Sequence, residues 1–127
     1  MRKLIAILPF GLLVWGCTDF TEPDVLDPSP VWGCYVAAQG PSLSVQSNGV
    51  RVGQSSEILP LRYEQHKVGM VLAIPMIASV DRGTLEIRSG DTHLYRVLGT
   101  DEGPVIRVAA NPDGTLWRYE RRSQDPC

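Results

Sequence analysis

From Val31 onward, apolar and polar residues alternate in short segments separated by Gly, Asn, Asp and Pro. This is the period-two pattern of half-buried strands, not the 3.6-residue period of helices. Trp32–Ala38 opens the series and closes at Gln39-Gly40-Pro41. Leu43 and Val45 alternate with Ser42, Ser44 and Gln46, and Val50 and Val52 alternate with Arg51. Between them Asn48-Gly49 supplies residues that tolerate positive φ, the clearest hairpin signal in the chain. Ile58–Gln65 continues the pattern, with Leu59, Leu61 and Tyr63 on one face and Arg62 and Glu64 on the other. Pro60 argues there for an edge or a bend.

The later half predicts a meander. Asp81-Arg82-Gly83 turns into Thr84–Arg88, Ser89-Gly90-Asp91 into His93–Leu98, a Gly-flanked turn over 99–103 into Val105–Ala109, and Asn111-Pro112-Asp113-Gly114 into Thr115–Arg121. Eight or nine short strands with no amphipathic helix predict an all-β domain over residues 32–127, a compact antiparallel sandwich or small barrel of about eight strands. Val68–Val80 is apolar almost throughout. It predicts a strand buried on both faces, Val68–Ile74, followed by an irregular apolar segment. The alternative is an apolar contact surface through Met70, Leu72, Ile74 and Met76 that meets lipid or a partner.

The start of the chain follows other rules. Arg2 and Lys3 precede an apolar run, Leu4–Trp15, which has the layout of a secretory signal and is shorter than the about 20 residues that span a bilayer. The run ends in Val14-Trp15-Gly16-Cys17, which resembles the lipobox of bacterial lipoproteins. Val14 and Gly16 fit that pattern, whereas Trp15 is bulkier than the residue usually found two positions before the cysteine. The resemblance implies cleavage of a signal peptide, residues 1–16, and acylation of Cys17, by which the mature chain is held on a lipid bilayer. Thr18 is not the Asp that retains such lipoproteins at the inner membrane, so the resemblance further implies an outer-membrane location. Residues 17–31 carry Asp19, Glu22, Asp24, Asp27 and three prolines with few apolar side chains. That composition predicts a disordered, extended tether.

Charge and cysteines narrow the function classes. The chain has a formal charge of −2, and the acids concentrate in the tether, so residues 32–127 hold ten acids and ten bases. No nucleic-acid partner is expected of such a balance. With Cys17 assigned to lipid, Cys34 and Cys127 remain, and an isolated pair in an exported chain is expected to form a disulfide. No CxxC or zinc-type spacing occurs, so no metal or other cofactor is expected.

Candidate chemistry is sparse. No nucleophile elbow, S-x-x-K, H-E-x-x-H, P-loop or dinucleotide fingerprint is present. His66 and His93 read as solvent-facing residues at the end and the start of strands. Strand alternation sends Arg88, Arg96, Arg107 and Arg118 to the face opposite Ile87, Val97, Ile106 and Trp117, with Glu86 and Glu120 beside them. Such a face is either a solvated surface with cross-strand ion pairs or a site for an anion or acidic partner, since Arg matches such groups bidentately.

The expected function is therefore a membrane-anchored cell-envelope lipoprotein. Its β-rich module is a non-enzymatic binding or structural unit, not an enzyme, and its partner is an unidentified envelope protein or glycan. Two alternatives remain. Ser89-Gly90-Asp91-Thr92-His93-Leu94-Tyr95 is similar, in its Ser-Gly and Tyr spacing, to the conserved loop of membrane-bound C-type lysozyme inhibitors. Those are small periplasmic β-barrel lipoproteins that insert a loop into the lysozyme cleft. The resemblance implies a periplasmic inhibitor of a lysozyme-like hydrolase, although the family's downstream Trp-x-Lys-Gly segment and the loop's second Gly are missing here. The other alternative is a small envelope hydrolase using His66 or His93.

Overall fold

The computed structural model describes residues 29–67 and 69–127. The stretches expected to form a signal peptide, a lipobox with Cys17 and a tether up to residue 28 lie outside the described residues. The chain enters through a single 3₁₀ turn, Ser29–Val31. Val31 is buried against the core, so the last residues assigned above to the tether already belong to the packed domain.

Eight strands follow: β1 Gly33–Val36, β2 Leu43–Gln46, β3 Gly49–Val52, β4 Arg62–His66, β5 Gly69–Asp81, β6 Thr84–Thr100, β7 Gly103–Ala110 and β8 Thr115–Ser123. All pairings are antiparallel, and the order is β3-β2-β1-β8-β7-β6-β5-β4. The expected all-β fold is thus a single curled sheet, a half-barrel. Its two edges, β3 and β4, approach each other. Val50 and Leu59 exchange backbone hydrogen bonds of 2.9 and 2.8 Å just before the chain enters β4.

Alternation places one set of side chains inside the curl. Leu43, Val45, Val50, Leu72, Ile74, Met76, Leu85, Ile106 and Val108 are fully buried there with Tyr35 and Tyr119. Leu72, Ile74 and Met76 therefore do not form an exposed apolar contact, and Met70 packs against the same core. The physical reason is the register of β5. Its even-numbered residues point inward, while Val71 and Ala73, on the outer face, are buried between β4 and β6.

Two boundaries differ from the pattern reading. β5 runs unbroken to Asp81 through Pro75, and β6 runs from Thr84 to Thr100 through Ser89-Gly90-Asp91. The expected turn is instead a bulge: Ile74 pairs with His93 and Met76 with Ser89, so Gly90, Asp91 and Thr92 lie opposite Pro75 alone. Pro75 has no N–H to give the ladder, and Gly90 leaves room for a neighbour. A Cβ at Gly90 would stand 2.7 Å from Cγ1 of Ile77. Two residues that break strands singly meet across one ladder and together bend it.

Three buried tyrosines secure the places where the ladder is interrupted. Tyr95 donates to the Met76 carbonyl at the bulge (2.7 Å), Tyr119 to the Pro41 carbonyl between β1 and β2 (2.8 Å), and Tyr35 to the Val31 carbonyl at the chain's entry. Desolvation pushes the Tyr35 and Tyr95 hydroxyls up to about 12, a smaller opposing effect at Tyr35 coming from nearby Arg121. Burial also raises Tyr119. Each hydroxyl therefore remains a neutral donor to its carbonyl.

Candidate functional site

The outer face of β4–β8 carries the densest set of polar side chains, and the register shows how they align. Arg107 on β7 lies directly opposite Arg118 on β8. On β6, Arg96 is the next residue out from the Val97–Ile106 pair, just as Arg107 is on β7. The three arginines thus form one row across three neighbouring strands, and all three are exposed. Arg88 is exposed too, but it pairs with Ile77 beyond the bulge, so it leaves the row and belongs to the far arm of the β5–β6 hairpin.

Like charges directly opposite each other on a sheet are destabilising. Only Arg118 is relieved, by Glu120 at 2.8 Å. Among the described residues, Arg96 and Arg107 have no ion-pair partner. Beside the arginine row runs an apolar one: Leu94, the outer position of Ala109, and its register partner Leu116. Leu94 is 54% exposed and Leu116 56%, two of the three exposed large hydrophobic residues among the described residues. Cationic and apolar rows side by side can hold a partner that offers acidic groups next to apolar contact area.

Glu64 extends the same face on β4. It accepts from Arg62 at 2.7 Å and contacts His66 Nε2 at 2.9 Å. These bonds, His66 first and then Arg62, hold its carboxyl below the usual range. His66 is therefore the last residue of β4 with a carboxylate beside it, an arrangement that pattern reading missed. Its signal was present, since Arg62, Glu64 and His66 alternate on one strand face. Among the described residues no hydroxyl or thiol bonds to His66, and the pair lies on a solvent-accessible strand surface. His93 is exposed as expected, but it sits inside β6 opposite Ile74, not at a strand's start.

The lysozyme-inhibitor stretch, Ser89–Tyr95, lies within β6 around the bulge, with Tyr95 buried in the core, and does not form a connecting loop. Cys34 and Cys127 meet at disulfide distance, their Cα atoms 4.8 Å apart. Among the described residues no group of three or more His, Cys, Asp or Glu is placed to hold a metal ion. The chain matches no family model, and no curated protein or solved structure is similar to it.

Proposed function

We propose that this chain is a lipid-anchored cell-envelope module that binds an acidic envelope partner and catalyses no reaction. The observation that carries the reading is the Arg96–Arg107–Arg118 row, in which two like charges oppose each other across β7 and β8 and two of the three lack a counter-charge among the described residues. Local violations of stability rules gather at functional sites, and an exposed like-charge row on a sheet face is one. The lipobox-like Val14–Cys17 and the acidic, proline-rich tether support delivery to an envelope membrane, with the outer membrane as the favoured site because Thr18 follows the acylated residue. The acidic, proline-rich composition of residues 17–31 suits a spacer between the anchor and the arginine face.

Two measurements on cell-derived protein test this. The mass of the mature chain is expected to start at Cys17 and to include its acyl groups; an unmodified Cys17 removes the anchor from the proposal. Arg96→Glu combined with Arg107→Glu is expected to abolish association with the envelope partner while leaving the far-ultraviolet circular dichroism unchanged. Undiminished association removes the arginine row.

A further inference from the structure

On the opposite side of the curl, the outer face of β2 and β3 encloses a recess of about 210 Å³ that the arginine row does not share. We infer that it is a binding site for a small organic carboxylate of the kind that ends a peptide chain. The register builds it. Ser44 pairs with Arg51, and Gln46 pairs with Gly49. Gly49 lets the segment before β4 close over the strand as a wall of the recess: a Cβ there would collide with the Leu59 carbonyl and stand 2.8 Å from Cγ2 of Ile58.

The polar side chains at the recess come from Ser44, Gln46, Asn48 and Arg51, and each can donate a hydrogen bond. Gln46 Nε2 is withdrawn from solvent and has no hydrogen-bond partner among the described residues, a donor that a ligand acceptor would satisfy. Arg51 brings a guanidinium that forms no ion pair among the described residues and matches a carboxylate bidentately. Ser44 adds a hydroxyl at a position that is 5% exposed, the only buried polar residue in the described domain.

The walls are apolar. Ile58, 46% exposed, stands on one side and Pro126 on another. Pro126 is held in place because Cys127 is tied to Cys34 of β1, so the disulfide completes the site as well as closing the domain. Among the lining residues Arg51 is the only charged one, which suits a monoanion. The apolar walls suit the carbon skeleton of an organic acid, which inorganic phosphate lacks.

The test is a ¹⁵N nuclear magnetic resonance titration of the full chain with N-acetyl-alanyl-alanine, its C-terminal amide and sodium phosphate in parallel. The free acid is expected to shift the Gln46 side-chain amide and the Gly49 amide in a saturable way. The amide-capped peptide and phosphate are expected to bind at least tenfold more weakly. Arg51→Gln is expected to weaken the acid at least tenfold, about 1.4 kcal/mol, and Arg82→Gln, in the β5–β6 turn, to leave it unchanged. Shifts absent from these positions, a capped peptide that binds as well as the acid, or phosphate that binds as tightly would each overturn the inference. So would an Arg51→Gln chain with unaltered affinity. The result is independent of the arginine row, and failure here leaves that proposal standing.

Discussion

Removing the Cys34–Cys127 bond is expected to destabilise the domain by much less than its span suggests, for a reason visible in the sheet. The two cysteines are 93 residues apart, and closing a loop of that size in the unfolded chain costs about 4.6 kcal/mol of chain entropy at 25 °C. In the folded domain the sheet has already closed most of that loop, because Cys34 lies in register with Ser123 at the end of β8. The bond then closes only Gln124–Cys127, four residues, for about 1.9 kcal/mol in the same treatment. The difference is about 2.8 kcal/mol, or roughly 10–20 °C in Tm for a domain of this size. The assay is urea unfolding of the wild-type chain and of Cys34→Ala/Cys127→Ala, with a dithiothreitol-treated wild-type control. The variant's m-value should also rise, since its unfolded chain exposes more surface. A loss under about 1 kcal/mol, or one near 4.6 kcal/mol, would refute the reasoning. The first would mean that the unfolded chain already keeps its ends together, the second that the folded domain holds the tail against Cys34 without the bond.

Other expectations follow from particular contacts. Because Tyr35 and Tyr95 hold their protons to about 12 when folded, against about 10 in an unfolded chain, the folded state binds more protons between those values. From neutral pH to 10 these tyrosines should leave stability level, and it should fall as pH rises from 10 to 12; Tyr95→Phe should make that fall shallower, and an unfolding free energy that stays constant to pH 12 contradicts the assignment. Gly90→Ala should destabilise by about 1–3 kcal/mol through overpacking against Ile77. The loss should shrink in an Ile77→Ala background, and equal losses in both backgrounds would rule out that contact. Arg107→Glu replaces a like-charge pair opposite Arg118 with an opposite-charge pair. It should raise stability by about 0.2–1 kcal/mol in thermal unfolding while it weakens partner binding, and a less stable variant would contradict the reading of the row.

The pattern of alternation reached far into the fold. The Asn48-Gly49 hairpin, the β7 and β8 strands and the outward direction of all four arginines were legible, because each rests on period-two alternation bounded by an unambiguous turn. The continuity of β6 was not. Ser89-Gly90-Asp91 carries every local mark of a turn, and only its position opposite Pro75, a tertiary fact, converts it into a bulge. The run from Val68 to Val80 posed the converse difficulty: proline inside it argued for irregularity, yet the bulge on the facing strand absorbs the missing N–H. Burial on both faces of β5 was foreseeable from its composition through Ile74, and β4 provides it by covering Val71 and Ala73.

At the candidate sites, alternation told which residues face outward but not which of them are neighbours. That required the register, which aligned Arg96, Arg107 and Arg118 and moved Arg88 away from them. The recess over Gly49 was illegible for the same reason. Its parts come from β2, β3, the segment before β4 and the tail behind Cys127, and no local pattern joins them.

The arginine row as a partner-binding face is tested most directly by photocrosslinking in the intact envelope, with the full chain carrying a photoreactive residue at Arg107 or, as a control, at Arg82 in the β5–β6 turn. A discrete product is predicted from position 107 and not from position 82, and it should disappear when Arg96→Glu and Arg118→Glu are added. The same products from both positions, or a product at 107 that survives both charge reversals, would contradict it.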